Sequence, residues 1–314
     1  MNRGRVLIGA SLFALYVIWG STYFAMRVSL EGFPPLTMAA IRMVTAGAIL
    51  LAFLRARGAP MPTRLEWRGA LITGVLLLTF GNGGIALAER TVSSSFAAMV
   101  VASMPLWAAA IGLAYGTKPT RPELLGLAVG FAGVVVLNVG QPISGDPTAF
   151  VAVFSSPIMW AWGSVLSRRL VMPKGAMASA AQMIAGGLVL VAVGLGSGER
   201  ISGAPSSRSI AAVAYLIVFG SLVAFSAYGY LLQNTRPAVA TSYAYVNPIV
   251  AIVLGVLFGN EAFTSRGAFA TLLTLGGVFL IARSKMRSAP IAAATAANTT
   301  SGAIRSASAA SDSD

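Results

Sequence analysis

The chain has 314 residues, 56% hydrophobic and only 10% charged, with a mean hydropathy of +0.79. A soluble domain carries about 25% charged residues, so this composition excludes one and points to apolar helices of about 20 residues crossing a bilayer. No cysteine or histidine is present, which removes disulfides, thiol nucleophiles, most zinc sites and the commonest general base; the net charge of +13 sits between the apolar runs and reads as a topology signal rather than a nucleic-acid surface.

Ten apolar runs predict transmembrane helices at 6–27, 34–54, 68–88, 93–115, 121–139, 148–170, 176–196, 208–232, 238–258 and 265–283. The loops are too short for a soluble domain, and the Ala/Ser/Thr-rich stretch 287–314 is expected to be a disordered cytoplasmic tail. Of the 22 Lys and Arg residues, Arg27, Arg90, Arg200, Arg208 and Arg266 fall on one side and Arg42 lies inside the second run. The other sixteen gather with the two termini, which places both termini in the cytoplasm of a bacterial-type inner membrane. Met1–Arg5 resembles the positive start of a signal peptide, but the first run has an internal counterpart, which argues against cleavage.

In the first run Tyr16, Gly20 and Tyr23 share a helical face, with Trp19 beside it. In the second, Arg42 is the one cation well inside a span. Its planar fork suits a substrate carboxylate, and it equally suits snorkelling or the carbonyls of neighbouring helices. In the third, Thr79, Asn82 and Glu89 fall on one face. Pro105, Pro157 and Pro248 lie within the fourth, sixth and ninth runs. Each removes a backbone donor and frees a carbonyl, as hinges or cavity walls do. Trp162 lies at the depth of Trp19. In the eighth run Ser221, Phe225 and Tyr228 form one face; in the ninth, Thr241, Tyr245 and Pro248 form one stripe and Tyr243 and Asn247 another. Gly112-x-x-x-Gly116, Gly126-x-x-x-Gly130 and Gly255-x-x-x-Gly259 read as packing motifs, the second also offering a dimer surface.

An offset of 143 residues superposes Trp19-Gly20-Ser21 on Trp162-Gly163-Ser164, Pro105 on Pro248, Gly112 and Gly116 on Gly255 and Gly259, and Gly133 on Gly276. The chain therefore divides into a first repeat, 1–145, and a second, 146–286, of five spans each. An odd number of spans makes the second copy enter the membrane in the opposite sense. Inverted repeats place a substrate near the midplane between the halves.

The motifs Trp19-Gly20-Ser21, AAIRMVTAGAILL (39–51), GNGGIALAE (81–89), MVVASMPLWAAAIGL (99–113) and ATSYAYVNPIVAIVLGVLFGNE (240–261) resemble the drug/metabolite transporter superfamily, EamA type. The resemblance spans 6–283. It implies a ten-helix fold, export of amino acids or other small metabolites, and a cavity walled by helices 1, 3, 4, 6, 8 and 9, with some likeness to the bacterial aromatic amino-acid exporters. It also implies an arginine at the place of Arg42, in a helix outside those walls, which favours a structural role for it.

The expected site is then Tyr16, Trp19, Tyr23, Thr79, Asn82, Trp162, Tyr228, Tyr245 and Asn247 around the small molecule, with Pro105, Pro157 and Pro248 as hinges and Arg42 and Glu89 as coupling or structural charges. Rings would hold an apolar side chain and amides the polar groups of an amphipathic solute. No acid lies at a midplane; Glu89 is near a span end, Glu261 follows the ninth run and Glu31 is in a loop. Neutral or zwitterionic cargo fits this pattern, and coupling, where it exists, is left to Glu89. The expected partners are the small-molecule substrate and the lipid bilayer, with no cofactor and no metal, in a monomer or weak homodimer. An intramembrane hydrolase would need a Ser/His, Asp/Asp or metal constellation that these residues do not supply. An ATP-driven pump would need a phosphate-binding motif and a cytosolic domain, and the loops offer a receptor or assembly factor little docking surface.

Overall fold

The predicted runs form helices in the computed structural model, which describes residues 3–92, 97, 100–139, 146–258 and 265–283. They are α1 (Arg3–Ser29), α2 (Pro35–Ala56), α3 (Arg64–Ala88), α4 (Met104–Ala114), α5 (Arg121–Asn138), α6 (Pro147–Leu166), α7 (Ala176–Gly196), α8 (Ser207–Asn234), α9 (Tyr243–Phe258, after the short helix Pro237–Ala240) and α10 (Ser265–Arg283). Among the described residues there is no strand. Helices α1, α2, α3, α6, α7 and α8 are long and apolar enough to cross a membrane, and α4 and α10 are shorter apolar helices. The tail 287–314, Gly259 and Glu261 lie outside the described residues.

Helix starts follow from local chemistry. Thr63 with Glu66 and Thr120 with Glu123 form capping boxes at α3 and α5. Asp146 opens α6 by accepting the Ala149 N–H at 2.7 Å, and Ser206 opens α8. At the end of α4 the Thr117 N–H returns to the Gly112 carbonyl at 2.7 Å, and Gly116 takes φ +82°. Gly112 and Gly116, expected as a packing motif, instead terminate the helix; nothing lies within 4 Å of where a Gly116 side chain would begin.

Two pairs of helices make the largest contacts, α2 with α7 and α5 with α10. Small residues allow both. A Cβ on Gly47 would come within 2.9 Å of the Ile184 nitrogen, and one on Gly187 within 3.0 Å of the Val44 nitrogen. On the other pair, Gly133 would meet the Thr274 nitrogen at 2.8 Å, Gly277 the Gly130 nitrogen at 2.4 Å, and Gly126 the Gly277 carbonyl at 2.6 Å. In each pair the contact moves down one helix as it moves up the other, so the two members run antiparallel. The Gly126–Gly130 face, offered by sequence as a dimer surface, is covered by α10 of the same chain.

The remaining six helices surround the middle. α1 packs on α8 and α9, and α6 packs on α3 and α4. Exchanging the first five helices for the last five reproduces this pattern. Two features were not visible in the hydropathy. Val75–Gly83 in α3 and Leu216–Val223 in α8 are wound as π-helix, a widening that often accompanies functional sites. The prolines also act differently from one another. Pro157 and Pro248 lie inside α6 and α9, whereas Pro105 stands in the first turn of α4, after a break at Ala102–Ser103. There its missing N–H disrupts nothing, so it starts a helix rather than kinking one. The corresponding break before α9 falls at Thr241–Ser242, ahead of Pro248.

Candidate functional site

Between the halves lies a cavity lined by α1 (Trp19, Thr22, Tyr23, Met26), α2 (Arg42, Met43), α3 (Asn82, Ile85), Val101 and Met104 around the start of α4, α6 (Trp160), α8 (Gly220, Phe225) and α9 (Tyr243, Asn247). Its free volume is ≈ 40 Å³, room for a few waters and too little for a metabolite. The aromatic wall is continuous. The Trp19 ring lies 4.5 Å from Tyr243, 5.2 Å from Tyr228 and 5.5 Å from Trp160, the first and last edge to face. Phe225 continues the cluster at 6.4 Å from Trp160. Such edge-on pairs stabilise by about 0.5–1.5 kcal/mol each beyond burial.

The polar groups divide by whether the protein satisfies them. Trp19 Nε1 donates to the Gly220 carbonyl at 3.0 Å, and Arg42 Nε donates to Ser221 Oγ at 2.8 Å. The π-helical turn of α8 thus supplies both acceptors. Tyr228 shares a 2.6 Å hydrogen bond with Ser164. In contrast Arg42 Nη1, Asn82 Oδ1, Asn247 Oδ1 and Trp160 Nε1 are buried with no partner at hydrogen-bond geometry, although the hydroxyls of Tyr23 and Tyr228 stand beside the Asn247 amide and the Trp160 indole. Their residues are only 2–8% exposed. Buried polar atoms are rarely left unpaired in a folded protein, and these four line a single cavity.

Of the residues expected from sequence, Trp19, Tyr23, Asn82 and Asn247 line the cavity, with Tyr228 packed in its ring cluster. Arg42 lines it too, although its helix was expected to stand outside the walls. The others are elsewhere. Tyr16 shares a 2.9 Å hydrogen bond with Ser242, one turn from Trp19 toward the N-terminus. Thr79 donates to the Gly186 carbonyl at 3.1 Å, tying α3 to α7. Tyr245 is fully buried against Gly130 and donates to the Leu127 carbonyl at 3.2 Å, so it belongs to the α5–α9 contact. Trp162 is 39% exposed and donates to Tyr115 on the outside of the bundle. The position facing Trp19 is held by Trp160. Glu89 ends α3 near Arg27, with both carboxylate oxygens buried and without a hydrogen-bond partner, outside the cavity wall.

Trp160, Tyr243, Met104 and the two π-helical turns complete the site beyond the sequence expectation. Trp160 stands two residues before Trp162, a rotation of about 200° on a helix, and only the direction of the helix face separates them. Tyr243 was legible as the stripe it shares with Asn247. No residue pattern announces the π-helices, though both run into glycine, at Gly81, Gly83 and Gly220.

The model of the EamA-like transporter family matches residues 7–139 and again 147–283. The chain is similar to the inner membrane transporter YedA of Escherichia coli K12, named as uncharacterized, at 43% identity over 89% of this chain and 91% of that one. It is also similar to the uncharacterized transporter YdfC of Bacillus subtilis, at 25% identity over 88% and 92%, and to Protein PecM of Dickeya dadantii, at 26% over 87% and 94%. A crystal structure 20% identical in sequence superposes with a TM-score of 0.72, covering 87% of this chain and 96% of that one; it speaks to the fold.

Proposed function

The chain belongs to the EamA-like transporter family, and from that premise we propose that this multi-pass inner-membrane transporter is a secondary exporter of small neutral or zwitterionic metabolites, amino acids above all. The observation that carries the reading is the cavity between the two matching halves, walled by aromatic rings and edged by unpartnered amide and guanidinium atoms. Rings take up an apolar side chain, and the unpartnered atoms take up the charged ends of an amino acid. An aromatic side chain suits the wall of Trp160, Phe225 and Tyr243.

Transport on this reading is alternating access. The antiparallel run of α2 against α7 and of α5 against α10 supports an inverted arrangement of the two repeats, and the bias of lysine and arginine toward one side supports cytoplasmic termini. The cavity at ≈ 40 Å³ is a closed state, so α1 and α6 must part for cargo to enter. Tyr16 with Ser242 and the ring cluster around Trp19 form the barrier on the side of the termini. Glu89 and Arg27 lie at the opposite ends of their helices, where a coupling charge would meet the outer aqueous phase.

The reading is tested by counterflow in proteoliposomes holding the purified protein, with a panel of labelled amino acids and a second panel of other small metabolites. Exchange of one or more amino acids is expected. Exchange confined to the second panel would overturn the cargo, and no flux of either would overturn the exporter itself.

A further inference from the structure

Arg42 carries the guanidinium of that cavity. Its helix α2 is clamped to α7 through Gly47 and Gly187, yet its side chain crosses to α8 and the cavity. Nε is fixed on Ser221 Oγ at 2.8 Å. The guanidinium lies against Gly220 so closely that a Cβ there would sit 2.8 Å from Nη2. The residue is 2% exposed, which rules out snorkelling to a headgroup. Among the described residues the ion pair formed is Arg236 with Glu123, and Arg42 has none. A buried cation without a counter-charge is expensive at membrane depth. An arginine that served only to hold helices would spend its donors on neighbouring carbonyls, and Nη1 is spent on nothing.

The opposite deficit lies in the same cavity. Asn82 and Asn247 each carry a buried amide oxygen with no donor. Arg42 and Trp160 need an acceptor; Asn82 and Asn247 need donors. A simple anion would satisfy only the first pair and a simple cation only the second. We infer that the cavity is built for a zwitterion, with Arg42 anchoring the carboxylate and the Asn82 and Asn247 amide oxygens receiving the ammonium group. This rests on the exporter reading and names its recognition chemistry. It also gives the π-helical turn of α8 a purpose, because that turn presents Gly220 and Ser221 together to hold the guanidinium in place.

The test is competition in the same counterflow assay, with phenylalanine as the labelled probe, or another amino acid that the wild type exchanges. Unlabelled competitors are the amino acid, its carboxamide, its decarboxylated amine and its deaminated acid. For the wild type each analogue missing one charge is expected to compete roughly tenfold to hundredfold more weakly than the amino acid, the range set by a hydrogen bond to a charged group. In Arg42→Gln and in Gly220→Ala, which pushes the guanidinium aside, the penalty for the carboxamide should shrink toward parity while that for the deaminated acid persists. Asn82→Ala should do the reverse. A wild type that exchanges amino acids yet accepts the carboxamide equally well overturns the inference and leaves the exporter reading standing; so does unchanged discrimination in both Arg42→Gln and Gly220→Ala. A wild type that exchanges no amino acid overturns the cargo reading first. Should Arg42→Gln fail to elute as a folded monomeric peak, Gly220→Ala and the wild-type series decide alone.

Discussion

Helices α1 and α6 open the two repeats, carry the same Trp-Gly-Ser triplet, and use it differently. In α1, Trp19 faces inward, 6% exposed, with its indole N–H bonded to Gly220. In α6, Trp162 faces outward and Trp160 takes the inward place, its indole N–H unpartnered. The reason lies in the register. Val44 and Gly47 touch Ile184 and Gly187 symmetrically, a correspondence of 140 residues. The π-helical turns begin at Val75 and Leu216, 141 apart. In the last pair, Gly130 and Gly133 match Thr274 and Gly277, 144 apart. A single offset of 143 suits the later helices and misaligns the first. Duplication preserved the packing of backbones, while the ring that lines the cavity was set by which face of α6 turned inward.

The sharpest way to break this comparison is at the tryptophans. Trp160→Ala and Trp19→Ala remove ring pairs worth about 0.5–1.5 kcal/mol each. Both should cut counterflow by roughly tenfold or more with folded protein retained, each losing three pairs. Trp162→Ala should leave flux within about twofold, since its bond to Tyr115 is exposed and exposed interactions contribute little. Equal losses at 160 and 162 would restore the sequence pairing.

A smaller effect separates a glycine packed on these rings from one that stands free of them. A Cβ on Gly81 would lie 2.6 Å from Trp160 Cε3, against the ring itself. Gly81→Ala should therefore shift Trp160, quench or displace its fluorescence, and lower flux by a few-fold, the cost of a modest overpacking. Gly9 of α1 has nothing within 4 Å, and Gly9→Ala should be silent in both readouts. A Gly81→Ala protein with unchanged fluorescence and flux would separate the π-helical turn from the site.

How much of this was legible in the sequence differs by level. Helix existence was, because a bilayer demands runs of about 20 apolar residues; α2, α7 and α10 fall within two residues of their predicted bounds, whereas α4 starts at Met104 inside the run predicted as 93–115 and α9 at Tyr243 after a break. Site membership was legible where a polar residue sits deep in a span, as for Asn82 and Asn247. It failed for Thr79, whose hydroxyl found a carbonyl on α7, and for Tyr245, whose partner is α5. A buried polar group declares that it needs a partner, and sequence does not say whether a neighbouring helix or a ligand provides it. Arg42 failed in the other direction: its helix was expected outside the walls, yet Arg42 and its neighbour Met43 both line the cavity.

The hydroxyls of the repeated triplet offer a subtler contrast. Ser21 Oγ meets Tyr215 Oη at 2.6 Å at the edge of the bundle, and Ser164 Oγ meets the fully buried Tyr228 at the same distance. A net hydrogen bond contributes about 0.5–1.5 kcal/mol, and stranding a buried partner costs more. Ser164→Ala should thus lower the melting temperature in detergent more than Ser21→Ala, by a margin that vanishes when each is combined with Tyr→Phe at its partner. Equal single-mutant losses would place the two sites in equivalent surroundings after all.

The faintest difference lies at the helix starts. The first repeat enters through the basic stretch Arg3-Gly4-Arg5, and the second through Asp146. A carboxylate at a helix N-terminus is favoured by the helix dipole and by the N–H it accepts, and an arginine there is not. Arginine at the start of α1 follows instead from the positive-inside bias of the orientation proposed above. The bond from the Ala149 N–H is the main reason the Asp146 carboxyl is held below its ordinary range. Its contribution is then present above that range and lost as pH falls through the lowered value. Asp146→Ala should depress the melting temperature slightly at neutral pH and converge with the wild type only in strong acid, read by thermal unfolding in detergent from neutral pH down to about pH 2, below the ordinary carboxylate range. A pH-independent gap would show that the cap acts through shape rather than charge, and the opposed signs at the two entrances would lose their electrostatic meaning for α6 while keeping it for α1.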